Sequence, residues 1–155
     1  MKHKIIELKP SDYEKCGNIR DMQRHSDLEA QLYQRLLTGN QTTFVYTVDS
    51  AFVGEISLVR ETDDPDYTIP GRRIYVSRLI VKDTYRRQGI GRQLLGHAVE
   101  IAKQAGFCEL SVGVDLDNYA AVRLYVQAGF DRILFAGEDA YGRYLKLLKS
   151  NRQIR

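Results

Sequence analysis

Between two apolar runs lies Arg86-Arg87-Gln88-Gly89-Ile90-Gly91-Arg92, a stretch whose residue types suit phosphate binding. Glycine allows close approach to the backbone and positive φ, leaving neighbouring N–H groups unobstructed. A helix beginning at Gly89 would add unpaired donors and a partial positive charge at its N-terminus. Arg86, Arg87 and Arg92 add mobile cations. A dinucleotide fingerprint would need a third glycine where Leu94 stands. A P-loop would need Gly-Lys-Ser/Thr, which neither Gly89 nor Gly91 begins. On spacing alone a tight structural turn is the alternative.

Other reactive types are sparse. Cys16 and Cys108 cannot form a disulfide framework and have no partner at metal-ligand spacing. His3, His25 and His97 are far apart and form no HExxH pattern, so no metal is expected. Asp63-Asp64-Pro65-Asp66 reads as a solvated acidic loop.

The elements that must position the turn follow from pattern. Residues 5–8 form a short strand closed by Pro10. Ser11-Asp12-Tyr13-Glu14 and Ser26-Asp27-Leu28-Glu29 are capping boxes, predicting two helices, the second stopping at Gly39-Asn40. Residues 42–48 and 51–59 are β-branched and apolar, and Asp49-Ser50 between them predicts a hairpin. A strand over 73–81 would alternate, placing Tyr75, Ser77, Leu79 and Val81 on one face. Ile90, Leu94, Leu95, Ala98 and Ile101 recur at helical spacing over 89–104, before Gly106. A strand over 109–114 and a helix over 118–127 follow, the helix carrying Ala121, Leu124, Tyr125 and Ala128 near one stripe before Gly129. Strands over 131–136 and 141–148 complete the pattern.

The order β-α-α-β-β-β-α-β-α-β-β predicts a mixed α/β fold of the α+β type, its central strand–helix–strand unit pairing in parallel. The 155 residues fit one domain over 1–150 with a polar tail at 151–155. No run approaches the roughly 18 apolar residues of a membrane span. Glu7 interrupts the first apolar pair too early for a signal peptide, so a reducing cytoplasm is the expected location. A net charge of +3 does not by itself imply nucleic acid, and no recognised nucleic-acid-binding module accompanies the arginines near the turn.

Arg86-x-x-Gly89-x-Gly91, preceded by Leu79-Ile80-Val81 and Tyr85, resembles the acetyl-CoA pyrophosphate loop of the GNAT superfamily of N-acetyltransferases. Asn118-Tyr119-Ala120-Ala121-Val122-Arg123-Leu124-Tyr125-x-x-x-Gly129-Phe130 is similar to that superfamily's second signature, N-x-x-A-x-x-L-Y-x-x-x-G-F. The element order agrees from Ile5 to Leu148.

The resemblance implies a central mixed, splayed sheet flanked by helices. It implies that backbone groups of Leu79, Ile80 and Val81 bind the pantetheine arm of acetyl-CoA. Arg86, Arg87, Gln88, Gly89, Ile90, Gly91 and Arg92 would line the path to its pyrophosphate. Asn118 would hydrogen-bond pantetheine, and as an asparagine at a helix start it also suits an N-cap. The acetyl group would pass directly to a primary amine, with Tyr125 as proton donor, a backbone N–H at Leu79 as oxyanion donor and no acyl-enzyme.

For the base, histone-type relatives carry a glutamate where Tyr75 stands here. Ribosomal-protein N-terminal acetyltransferases carry one where Gly113 stands and a basic residue where Asp115 stands. Both departures point away from those classes. Glu55, Glu61 or a water held by Tyr75 and Ser77 are the remaining candidates. Asp27, Glu29, Tyr33, Glu55, Glu61, Tyr67 and Tyr141 fall in segments that set acceptor choice, and carboxylates with phenols suit a cationic amine. The expected function is acetylation of a small primary amine. A peptide acetyltransferase and a non-catalytic acyl-CoA-binding module are the alternatives. A homodimer through the late strands is compatible with the family.

Overall fold

The computed structural model describes residues 1–151, so residues 152–155 of the expected polar tail lie outside the described residues. Its strands are β1 (His3–Glu7), β2 (Gln41–Val48), β3 (Ala51–Val59), β4 (Arg73–Val81), β5 (Glu109–Asp115), β6 (Arg132–Asp139) and β7 (Gly142–Ser150). The α-helices are α1 (Ser26–Thr38), α2 (Ile90–Gln104) and α3 (Tyr119–Gln127). The strand order is β1-β2-β3-β4-β5-β7-β6. β4 and β5 run parallel, while β1–β2, β5–β7 and β6–β7 are antiparallel, so the sheet is mixed as expected. No helix among the described residues is long and apolar enough to cross a membrane. The chain forms two compact units, Met1–Leu58 with Arg78–Ala98, and Val59–Ser77 with Val99 onward.

In the first unit, Asp49 and Ser50 take φ of 49° and 72°. Two successive left-handed residues match the right-handed twist of the flanking strands, which is why this dipeptide closes the β2–β3 hairpin. Side chains on both faces of β2 and β3 are buried. Three of the polar ones bond to each other: Gln41 Nε2 donates to Thr43 Oγ1 (3.1 Å) and Ser57 Oγ (3.2 Å), and the two hydroxyls are 2.7 Å apart. Leu8, Cys16, Ile19, Leu36, Val45 and Phe52 form a core cluster, with Tyr13, Met22 and Ile80 packed against it. A Cβ at Gly54 would lie 3.2 Å from Leu94 and 3.3 Å from Ile90, so glycine lets β3 seat α2 closely. Gly39, with φ of 81°, ends α1 in the left-handed cap foreseen there.

Two expectations for this unit are corrected. The segment after Pro10 is a 3₁₀ helix, Pro10–Asn18, entered at Lys9 with no side-chain cap, so the Ser11/Glu14 box does not form. α1 enters at His25, also without a side-chain cap. Ser26 lies inside its first turn, and Glu29 is bound by Arg20 in place of the backbone. A buried guanidinium outcompetes a backbone N–H for the carboxylate because both partners are charged.

In the second unit, β4 and β5 pair from Arg73↔Glu109 to Val76↔Val112. β7 then pairs with β5, with β6 outside it. Ile74, Val76, Leu110, Val112, Phe130 and Leu147 are buried. Gly129, at φ of 98°, ends α3, and the Phe130 N–H returns to Tyr125 O at 3.0 Å. The acidic loop is not merely solvated. Lys146 Nζ binds Asp64 Oδ2 (2.7 Å) and Asp66 Oδ2 (3.2 Å), and Arg73 Nη1 binds the carbonyls of Pro65 and Asp66.

Candidate functional site

The turn before α2 is built from left-handed residues. Arg87 has φ of 64° and Gly89 φ of 81°. The Gln93 N–H donates to Gly89 O (3.1 Å), which makes residues 90–92 the first turn of α2, whose N–H groups face out of the helix end. This backbone and the helix dipole suit an anion. Arg86 is more tied than a mobile cation: its Nε donates to Val81 O (3.2 Å) and its Nη2 pairs with Asp83 (2.9 Å), linking the turn to the end of β4.

Leu79, Ile80 and Val81 form that end of β4. Directly before them Arg78 sits at φ of 57°, inside a strand. A left-handed L-residue there costs about 1–2 kcal/mol and interrupts the pleat. The period-two count therefore does not carry from Tyr75 and Ser77 to Leu79 and Val81, which corrects the single face expected for the four.

Near Arg78 is a charged cluster that sequence reasoning missed. Arg20 clasps Glu29 with two bonds, Nε to Oε1 (2.9 Å) and Nη2 to Oε2 (2.8 Å), and its Nη1 bonds Glu55. Tyr13 Oη donates to Glu29 as well. Arg78 Nη2 lies 4.0 Å from Glu29 Oε1, and its buried Nε has no hydrogen-bond partner among the described residues. The Arg20, Glu29 and Glu55 side chains are 11%, 11% and 3% exposed. Burial alone would push the Glu29 carboxyl up, but the bonds from Arg20 and Tyr13 outweigh it and hold it below the usual range. Burial, then repulsion from Arg20, lowers the Arg78 guanidinium. Glu55, expected as a base, is thus engaged with a buried cation, and its setting lends that role no support. Nine and 35 residues separate Arg20 from its two carboxylates, a spacing with no local signature.

In the second unit, Asn118 caps α3, its Oδ1 accepting from the Ala121 N–H at 3.2 Å. Tyr125 on α3 is 7% exposed and meets Phe130 edge-on at 5.7 Å. Its phenol is pushed up to about 12, first by burial and then by the neighbouring Tyr75. Tyr75 stacks on Tyr67 with centroids 4.3 Å apart. A Cβ at Gly113 would collide with the Tyr67 hydroxyl and lie 3.3 Å from Cζ, so this glycine makes room for the phenol. Cys16 is buried and its thiol pushed up by burial; Cys108 is partly buried, and both are free thiols. Among the described residues no group of three His, Cys, Asp or Glu side chains could hold a metal ion.

The predicted residues Leu79, Ile80, Val81, residues 86–92 and Glu55 thus belong to the first unit, and Asn118 and Tyr125 to the second.

Comparison with known proteins bears on what such a set can do. The alanine N-acetyltransferase of ribosomal protein bS18 from Escherichia coli is 28% identical over 95 residues, 61% of this chain and 52% of the relative. The first curated relatives are longer than this chain, which matches only 20%, 38% and 46% of their lengths. Among solved structures, aminoglycoside 6'-acetyltransferase type Ii superposes with a TM-score of 0.78 at 15% identity, covering 98% of this chain and 99% of that one. PaiA N-acetyltransferase from Thermoplasma acidophilum, solved with coenzyme A, gives 0.68 at 19% identity, covering 97% and 99%. Both structural likenesses concern the fold. The family model described as acetyltransferase (GNAT) matches residues 3–130, a stretch that includes the turn, β4, β5 and α3, and the chain belongs to that family.

Proposed function

We propose that the protein is an acetyl-CoA-dependent N-acetyltransferase that acts on a small primary amine. The observation that carries this reading is the left-handed Arg87–Gly89 turn opening α2 in a chain of this family. It presents a run of helix-start amides to the pyrophosphate. Leu79, Ile80 and Val81 bind the pantetheine arm through backbone groups, and Asn118 contributes from its cap position. Acetyl-CoA supplies the activated acyl group as a thioester.

The remaining chemistry belongs to the chain. The Leu79 N–H donates to the oxygen that gains charge when the amine nitrogen bonds to the carbonyl carbon. As the carbon–sulfur bond breaks, Tyr125 Oη gives its proton to the leaving sulfur. The amine nitrogen releases its own proton to water, so a dedicated base is dispensable for an amine already neutral at the working pH. Glu61 and a water on Tyr75 and Ser77 are the bases this reading retains.

A panel of amines tests this: phenethylamine, tryptamine, spermidine, glucosamine and an alanine-initiated peptide, each mixed with acetyl-CoA while free thiol is read. Amine-dependent thiol release with a matching acetylated product is expected. Release only with the peptide would make it a peptide acetyltransferase, and acetyl-CoA binding without turnover would make it a binding module.

Gly89→Ala tests the turn separately. Forcing a Cβ into φ of 81° costs about 1 kcal/mol, which is ~5-fold if it falls on the bound conformation. Calorimetric titration with coenzyme A is expected to show Kd raised by about that factor. An unchanged Kd would place the pyrophosphate elsewhere.

A further inference from the structure

The acceptor segments combine carboxylates with phenols, a composition suited to a cationic amine, but the structure commits two of those carboxylates, and three others in the second unit, internally. Glu29 and Glu55 are held by Arg20. Asp64 and Asp66 are held by Lys146, whose bond holds the Asp64 carboxyl below its usual range and which is itself pushed well up by that bond. Glu109 is held by Arg72 and Arg73 at 3.1 and 3.2 Å. The phenols are arranged differently.

The loop before β4 fixes the position of Tyr67. The Tyr67 N–H donates to Asp64 O (3.0 Å), and Ser111 Oγ donates to Tyr67 O (2.6 Å). Thr62 and Thr68 hydroxyls meet at 2.9 Å across the loop, and Lys146 and Arg73 hold the residues between them. The Tyr67 ring stacks on Tyr75 at 4.3 Å and 29°, and its hydroxyl reaches over β5 to the space that Gly113 leaves empty. α3, which carries Tyr125, packs on β5. Tyr75 lies within electrostatic reach of both the other phenols, adding to the burial that pushes each up to about 12. Tyr67, Tyr75 and Gly113 are all only partly buried, so part of each is open to a ligand.

We infer that the stacked pair Tyr67 and Tyr75, seated over Gly113, forms the acceptor wall beside Tyr125 and selects an amine carried on an aromatic or apolar body over a polycation. The inference rests on the acetyltransferase reading. Flat ring faces and one hydroxyl offer dispersion contact and a hydrogen bond to a neutral amine. A polycation finds these faces taken, because the Lys146 ammonium already stands 5.1 Å from the Tyr67 centroid and 4.8 Å from that of Phe135, while its own pairing with Asp64 and Asp66 leaves those carboxylates committed. Lys146 is a positioning residue here: it neutralises the loop and orients the ring.

The test compares kcat/KM for phenethylamine and spermidine, with KM for acetyl-CoA read in parallel. Wild type is expected to prefer phenethylamine by about tenfold or more. Tyr67→Phe keeps the stack and loses the hydroxyl, and should raise the amine KM ~3–10-fold, the worth of one neutral hydrogen bond. Gly113→Ala displaces the hydroxyl and should do the same. Lys146→Met frees two carboxylates and should move the ratio toward spermidine. KM for acetyl-CoA should stay unchanged in all three. A wild-type preference for spermidine, or an amine KM unmoved in both Tyr67→Phe and Gly113→Ala, overturns the inference while leaving the acetyltransferase reading intact. No turnover with any amine overturns both.

Discussion

Arg20→Met is expected to lower the unfolding free energy by about 3–5 kcal/mol, because it leaves buried carboxylates without their cation. The Glu29 and Glu55 side chains are 11% and 3% exposed, and Arg20 bonds both. With the guanidinium gone, Glu29 keeps Tyr13 and a distant Arg78, which cannot replace a bidentate clasp. The triple variant Arg20→Met/Glu29→Gln/Glu55→Gln should recover part of the loss, since removing both signs removes the unpaired charge. The pH dependence has a definite sign. Glu29 is held below its unfolded value, so its contribution is present above about pH 4.5 and fades as pH falls through its lowered folded value. The gap between wild type and Arg20→Met should therefore narrow in acid. Urea unfolding at neutral pH and again near pH 4 measures it. A neutral-pH loss below about 1 kcal/mol would show that the cluster is not a buried charge network.

The second large effect is on chemistry. Tyr125→Phe should lower kcat by about 10²–10³, with KM for acetyl-CoA little changed. The substitution keeps the ring and its edge contact with Phe130, so thermal stability should hardly move, and the kinetic loss reports the hydroxyl alone. The raised phenol constrains how it acts. Handing a proton from a group near pH 12 to a free thiolate, whose conjugate acid is near about 8.5, is uphill by ~5 kcal/mol. Tyr125 must therefore act while the carbon–sulfur bond is breaking, through a hydrogen bond that strengthens as charge reaches sulfur.

Elements governed by local backbone chemistry were legible in the sequence. Asp49-Ser50 identified the hairpin, Gly39 and Gly129 the helix ends, and residues 73–81 a strand with the observed bounds. The family motifs were legible too, since both lie in contiguous segments. What could not be read were choices settled by competition in the fold. Glu29 has the spacing of a capping residue, yet a guanidinium nine residues earlier takes it. Arg78 gives no sign in sequence of its left-handed backbone, which ends the simple face count in β4. Nothing in Asp63-Asp64-Pro65-Asp66 points to Lys146, 80 residues on, and nothing at Gly113 announces the Tyr67 hydroxyl. Such pairings depend on strand order, in which β7 inserts beside β5, and single-segment patterns carry no information about it.

The most direct measurement of the central claim is kcat for amine-dependent thiol release by wild type and Tyr125→Phe, from about pH 7 to about pH 10.5. Because Tyr125 stays protonated until about pH 12, the wild-type rate should rise as the amine loses its proton and then hold level, with no alkaline fall in this range. The variant should run parallel and at least about 100-fold lower throughout. A variant with wild-type kcat would contradict direct acetyl transfer with Tyr125 as its proton donor.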